Sequence, residues 1–258
     1  MAAGFLDSHF SLKGRVALVT GARAGIGAGI AAGLARAGAD VAITSRDGKG
    51  LDATVEAVEE AGQRALGCAL ELRDLASVDA AVEIVIAGLG QLDILVNNAG
   101  ASVRIDALDY TESDWDDVLD TNLKGAFFAA RAAARHMIPR GEGRIISVSS
   151  TYGSVVRAQR AAYAASKAGL EQLTRALALE WATTGVTVNA VAPTSVRTPS
   201  RDKKFEDPAY AAQRAADIPM GRLATPADIV GAVVFLAGPG AAFITGHTIA
   251  VDGGYTLP

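Results

Sequence analysis

The chain has 258 residues, 50% of them apolar and 20% charged, with 28 glycines, 8 prolines and one cysteine; this composition excludes disordered, collagenous and disulfide-stapled classes. Its 24 basic and 28 acidic residues leave a formal charge of −4, so no broad basic face is available to nucleic acid. Cys68 has no second cysteine to pair with and cannot join a thiolate zinc cluster, which fits a cytoplasmic protein.

Residues 1–10 lack the basic and apolar regions of a secretory signal and read as a loose arm. Beyond them, short β-branched runs at 16–20, 40–45, 64–70, 92–97, 144–149, 186–192 and 248–251 alternate with helical stretches at 26–36, 50–61, 77–88, 112–137, 161–183 and 226–236. This alternation predicts repeated βα units, and strands so continuously apolar expect cover on both faces. No linker or composition shift divides residues 1–258, which read as one α/β domain: a doubly wound sheet of seven parallel strands with helices on both faces. Residues 229–251 are long enough to span a bilayer, but Gly238, Pro239 and Gly240 interrupt them, so they predict a helix, a turn and a strand, and no membrane partner. Residues 193–222 break the rhythm with four prolines and a charge run at Arg201, Asp202, Lys203, Lys204, Glu206 and Asp207. Directly after a strand C-terminus, a segment of this length predicts a substrate lid.

Between the first strand and the first helix stands Thr20-Gly21-Ala22-Arg23-Ala24-Gly25-Ile26-Gly27. Glycines there let the backbone turn sharply and let a pyrophosphate approach the free amides of a helix N-terminus. In a βα chain the cluster predicts a Rossmann-type dinucleotide site formed by Gly21, Gly25, Ile26 and Gly27, with Arg23 as an added positive charge. The second strand ends in Thr44-Ser45-Arg46. An acid at that point would bind the free ribose hydroxyl of NAD, whereas a small hydroxyl followed by a guanidinium suits a 2′-phosphate. Ser45 and Arg46 therefore predict NADP(H) in preference to NAD(H), the alternative being that Asp47 takes the ribose.

Tyr163 and Lys167, four residues apart, stack on one face of a helix, where an ammonium would favour the phenolate and lower the tyrosine pKa. Thirteen residues upstream, the fifth strand ends in Ser147-Val148-Ser149-Ser150, which places a hydroxyl where open sheets bind ligands; strand alternation favours Ser150 over Ser149. Asn97-Asn98-Ala99-Gly100 ends the fourth strand, next to the first across the expected switch point, and Asn122 lies in the following helix.

In this order, from Lys13 to Gly254, the motifs resemble the classical short-chain dehydrogenase/reductase family. The resemblance implies that Tyr163 is the general acid-base, that Lys167 holds the nicotinamide ribose and lowers the tyrosine pKa, that Ser150 orients the carbonyl and that Asn122 supports a water-linked proton relay. It assigns Gly21, Gly25 and Gly27 to the pyrophosphate, Asn98, Ala99 and Gly100 to the turn beside it, and Pro193, Val196 and Thr198 to the nicotinamide. Glu71 and Leu72 stand at the adenine, where the family often has Asp-Val, and Pro193-Thr194 replaces the usual Pro-Gly. The alanine-rich stretches 126–134 and 161–178 match the helices through which members form dimers and tetramers, so a homotetramer is expected.

The function implied is hydride transfer between NADP(H) and the carbonyl or secondary alcohol of a small polar substrate such as a sugar, polyol or ketone. One alternative is a 3-oxoacyl-(acyl-carrier-protein) reductase, although Thr184 precedes Gly185 where those enzymes tend to carry a basic residue. The other is a cofactor-binding sensor that has lost catalysis, which the presence of all four catalytic residue types opposes. His9, His136 and His247 lack metal-ligand spacing, so no metal is expected.

Overall fold

A computed structural model describes residues 4–199 and 205–257. Its strands are β1 (Val16–Val19), β2 (Asp40–Ser45), β3 (Ala65–Ala69), β4 (Ile94–Asn97), β5 (Gly143–Val148), β6 (Val186–Pro193) and β7 (Thr248–Val251). They form one sheet in the order β3-β2-β1-β4-β5-β6-β7, parallel throughout, with β1 Leu18 in register with β2 Ala42 on one side and β4 Leu95 on the other. The chain reverses its direction of winding between β1 and β4, and that switch point opens a crevice beyond the strand C-termini.

The described helices are α1 (Phe5–Phe10), α2 (Gly25–Arg36), α3 (Asp52–Glu59), α4 (Leu75–Leu89), α5 (Glu112–Leu119), α6 (Gly125–Met137), α7 (Ala161–Glu180), α8 (Pro208–Ala216) and α9 (Pro226–Ala237). Side-chain alternation along the strands divides the core in two. Ala17 and Val19 of β1 join Ile30 and Leu34 of α2 and Ile229 and Val233 of α9. Val16 and Leu18 face the other way, onto Val82 of α4, Ala129 and Ala133 of α6 and Leu177 of α7. The segment 229–251 resolves into the end of α9, a 3-10 turn at Pro239–Ala241 and β7. No helix among the described residues is long and apolar enough to cross a membrane.

Four features differ from the sequence expectation. Residues 5–10, expected as a loose arm, form α1; Phe10 lies 6.3 Å from the Phe235 ring and the His9 backbone rests against Gly238 and Gly240. The helix expected over 112–137 is interrupted by a π-helical turn at Asp120–Lys124, where the Gly125 amide reaches back to the Asp120 carbonyl. The segment 193–222 contains α8, while Arg201, Asp202, Lys203 and Lys204 of its charge run lie outside the described residues. The α6 alanines, expected at a subunit interface, are spent inside this chain: Ala126, Ala129, Ala130, Ala132, Ala133 and Ala134 are all buried. On α7, by contrast, Ala161, Ala165, Ala168, Ala176 and Leu179 remain exposed along one stripe.

Candidate active site

The strand C-termini border a cavity of about 710 Å³, whose wall includes every residue expected at the site except Arg23 and Asn122. Across the sheet, Glu71 and Leu72 follow β3, Ser45 and Arg46 end β2, the glycine loop follows β1, Asn98, Ala99 and Gly100 follow β4, and Ser150 follows β5. Pro193, Val196 and Thr198 continue from β6, and Tyr163 and Lys167 project from α7.

The glycine loop has the shape an extended phosphate needs. Gly21 and Gly25 take φ of +64° and +65°, a region that L side chains rarely enter. A Cβ on Gly21 would stand 2.8 Å from Ala99 Cα, and one on Gly27 would stand 2.5 Å from Asn98 Nδ2. Ala24, at the N-cap of α2, offers no side-chain acceptor, which leaves the first-turn amides for an anion. Asn98 and Thr20 fix the loop against β4: Asn98 Nδ2 donates to the Thr20 and Gly21 carbonyls at 2.8 and 3.0 Å, and Thr20 Oγ1 accepts from the amides of Asn98 and Ala99, both at 3.0 Å. Thr20 was not singled out from the sequence; its signal is a lone hydroxyl closing an otherwise apolar strand.

At the end of β2, Arg46 is 76% exposed and its Nε lies 3.2 Å from Glu71 Oε2. Ser45 Oγ donates to the Lys49 carbonyl at 2.9 Å. Asp47 closes the same turn by accepting from the Lys49 amide at 3.1 Å, the bond that lowers its pKa most, and it does not line the cavity. Arg23 does not reach the cavity either. Its guanidinium lies beside Gly50, where a Cβ would meet Nε at 2.7 Å, because the loop carries residue 23 toward the β2–α3 connection.

At the other end, the two serines divide. Ser149 is buried and donates to Glu171 Oε1 at 2.9 Å, whereas the half-buried Ser150 accepts from the Tyr152 amide at 3.2 Å. The Tyr163 ring stands edge-on to Tyr152, 5.9 Å between centroids. Lys167 Nζ lies 5.7 Å from the Tyr163 ring centroid and donates to the Val148 carbonyl at 2.8 Å. Burial brings the Lys167 pKa down to about 8, with Glu171 opposing the shift.

Asn122 sits in the π turn, fully buried behind the cavity wall. Its Oδ1 accepts from the Ala101 amide at 2.7 Å, and its Nδ2 donates to the Ala101 carbonyl and to Ser166 Oγ, both at 2.9 Å. Ser166 Oγ in turn donates to the Tyr163 carbonyl at 2.8 Å. Asn122 therefore acts on the site by tying the loop after β4 to α7. Three guanidinium groups on the wall, Arg104, Arg160 and Arg214, were not anticipated. They are single residues on three separated segments, and no local pattern marks them.

A family model described as Enoyl-(Acyl carrier protein) reductase matches residues 21–256. The chain is 40% identical to the 2-dehydro-3-deoxy-D-gluconate 5-dehydrogenase of Escherichia coli (strain K12), over 96% of this chain and 98% of that one. It is 41% identical to a 3-oxoacyl-(acyl-carrier-protein) reductase of Vibrio harveyi, over 95% and 98%. Among solved structures, a gluconate 5-dehydrogenase from Burkholderia cenocepacia J2315 in complex with NADP and tartrate superimposes with a TM-score of 0.92 at 35% identity, covering 97% of this chain and 98% of that one.

Proposed function

The chain belongs to the short-chain dehydrogenase/reductase family, oxidoreductases that act on alcohol and carbonyl groups, and on that premise we propose that it moves hydride between NADP(H) and a secondary alcohol or ketone of a small sugar-like or polyol substrate. The observation that carries the reading is the shared cavity: Ser150, Tyr163 and Lys167 line the same space as a glycine loop whose crowding and uncapped helix suit a dinucleotide.

When bound, the nicotinamide supplies or takes up the hydride. The chain's own residues do the rest. Ser150 accepts from the Tyr152 amide, which leaves its hydroxyl proton for the substrate oxygen. Tyr163 binds that oxygen beside it, giving a proton in reduction and removing one in oxidation. Lys167 commits one N–H to the Val148 carbonyl and keeps the others for a ribose hydroxyl. Asn122 and Ser166 hold the backbone of Tyr163 in place. Arg46 and Ser45 favour the 2′-phosphate of NADP. The segment that carries α8 serves as a substrate lid, a reading supported by Phe205, Tyr210 and Arg214 on the cavity wall. We assign a homotetramer in the cytoplasm, with the exposed stripe of α7 as one contact surface; light scattering at micromolar concentration tests the assembly, and a monomer refutes it.

The carrier-protein reading draws support from the Vibrio relative. An acyl chain asks for an apolar channel, however, and the cavity wall carries Ser102, Thr151, Thr194 and Ser195 together with the arginines. The test is a turnover screen of polyols, sugars, sugar acids and an acetoacetyl thioester with NADP and NAD, in both directions. Turnover confined to the thioester overturns the sugar-like reading, and no turnover at all overturns the catalytic one.

A further inference from the structure

We propose that Glu171 is a positioning residue of the catalytic centre: its buried carboxylate ties the turn that presents Ser150 to α7 and serves Lys167 as counter-ion. The inference rests on the oxidoreductase reading above and adds to it a residue outside the cavity wall.

Lys167 and Glu171 are the two charged side chains that α7 buries, one helical turn apart on the face that carries Tyr163. Burying a carboxylate is costly unless partners compensate it. The seat of Glu171 is built by the segment that follows β5. Ser149, itself buried, donates from Oγ to Glu171 Oε1 at 2.9 Å. Gly153 leaves the space, since a Cβ there would stand 2.6 Å from Glu171 Cδ. Between these two contacts lies the 3-10 turn, where the Tyr152 amide donates to Ser150 Oγ and the Gly153 amide donates to the Ser150 carbonyl at 2.8 Å. The carboxylate therefore holds both ends of the segment that aims the Ser150 hydroxyl.

The Ser149 hydroxyl is a neutral donor, so the hydrogen bond leaves Glu171 its charge, and that charge works on Lys167 against the desolvation of the ammonium. Lys167 thus stands between Tyr163 on the cavity side and Glu171 behind it. The other elements packed on α7 keep their charges away from the pair. The residues of β6 are uncharged, and the 3-10 turn contributes Tyr152, edge-on to Tyr163. In the π turn Asp120 pairs with Lys124 at 3.3 Å. Helix α5 holds Asp114 in its own capping box and leaves Glu112, Asp116 and Asp117 exposed.

The experiment compares the wild type with Glu171→Gln, which keeps an acceptor for Ser149 and removes the charge, and with Glu171→Asp, which keeps the charge and shortens the reach. It follows kcat/KM against pH for the reduction, with NADPH, of D-fructose, L-erythrulose and an acetoacetyl thioester. Both Lys167 and Tyr163 must hold a proton in this direction, and removing a nearby negative charge makes both release it at lower pH. The ratio of wild type to Glu171→Gln should therefore widen about fivefold or more from about pH 6 to about pH 9. Glu171→Asp should lose about threefold or more by the same factor at every pH, because Ser149 loses its partner and Ser150 its anchor. Independently of turnover, the 13Cε resonance of Lys167 in the cofactor-free chain, assigned by its absence from Lys167→Met, follows the ammonium itself. Its midpoint, about 8 in the wild type, should fall by about half a pH unit or more in Glu171→Gln and hold in Glu171→Asp. An unmoved midpoint in Glu171→Gln, or a ratio flat with pH, overturns the counter-ion, and full activity of Glu171→Asp overturns the anchor. A wild type that reduces none of these ketones, with the midpoint still falling in Glu171→Gln, defeats the oxidoreductase reading while the pairing of Glu171 with Lys167 stands.

Discussion

Arg46 and Glu71 form an ion pair across the ends of β2 and β3, Nε to Oε2 at 3.2 Å, so the cation suited to a ribose phosphate is already held by a carboxylate in the same cleft. A 2′-phosphate would compete with Glu71 for that guanidinium and would be repelled by it. Ser45→Asp combined with Arg46→Ala should weaken NADPH binding by about 2 kcal/mol, with a smaller loss or a gain for NADH. Glu71→Gln should act in the opposite sense and strengthen NADPH relative to NADH. Fluorescence titration of both cofactors at fixed ionic strength measures this, and a wild type that holds NADH more tightly hands the ribose to Asp47 or a backbone group.

Tyr163→Phe keeps the edge-on contact with Tyr152 and deletes one hydroxyl. It should abolish nearly all turnover while cofactor binding stays near wild type. Activity within about threefold of wild type would remove Tyr163 from the proton-transfer step.

Lys167 is a buried ammonium whose pKa is lowered by desolvation to about 8 from 10.5. Between those values the unfolded chain binds more protons than the folded one, so the stability this group contributes rises as pH increases from about 8 to about 10.5. The full swing is about 3 kcal/mol. Urea melts of the cofactor-free protein across this range should show the rise, and Lys167→Met should flatten it whatever its offset at neutral pH. Parallel curves for the two proteins would mean that the ammonium is better solvated than its burial implies.

Asp228 opens α9 with a capping box: its carboxylate accepts from the Thr225 amide at 2.7 Å and pairs with both ends of Arg222 at 2.7 and 2.9 Å. Arg222 first, and the Thr225 amide second, hold its carboxyl well below the usual range. The stability it contributes is therefore present above about pH 4 and fades as acid protonates it. Asp228→Asn should cost about 1 kcal/mol at neutral pH, a cap's worth discounted for exposure, and should blunt the acid-side fall of the melting temperature.

The sheet was legible in the sequence because strands covered on both faces cannot hide among polar residues: all seven strands fall within a residue or two of the expected runs. The glycine loop and the Tyr163-Lys167 pair were equally plain, since each depends on spacing within one segment. What escaped is assembled from pieces far apart in the chain. Arg104, Arg160 and Arg214 come to one cavity wall only after folding, and the pairing of Arg46 with Glu71 needed β2 and β3 side by side. Asn122 was marked as a site residue, but the partners of its side-chain amide, Ala101 and Ser166, lie 21 and 44 residues away in the chain and could not be named in advance.

The π turn at Asp120–Lys124 also constrains how this chain can change length. An i→i+5 turn takes up one residue more than an α turn, so α5 and α6 keep their phase on either side of it while the extra residue is pushed out of the regular helical pattern. Deleting one residue there would let the two helices run on as one α-helix, with the α6 alanines still in the core beneath the sheet. What would be lost is the widened turn that carries Asn122, and with it the bonds of its amide to Ala101 and Ser166. A one-residue gap in this turn would therefore leave the scaffold standing and loosen the tie between the loop after β4 and the tyrosine helix.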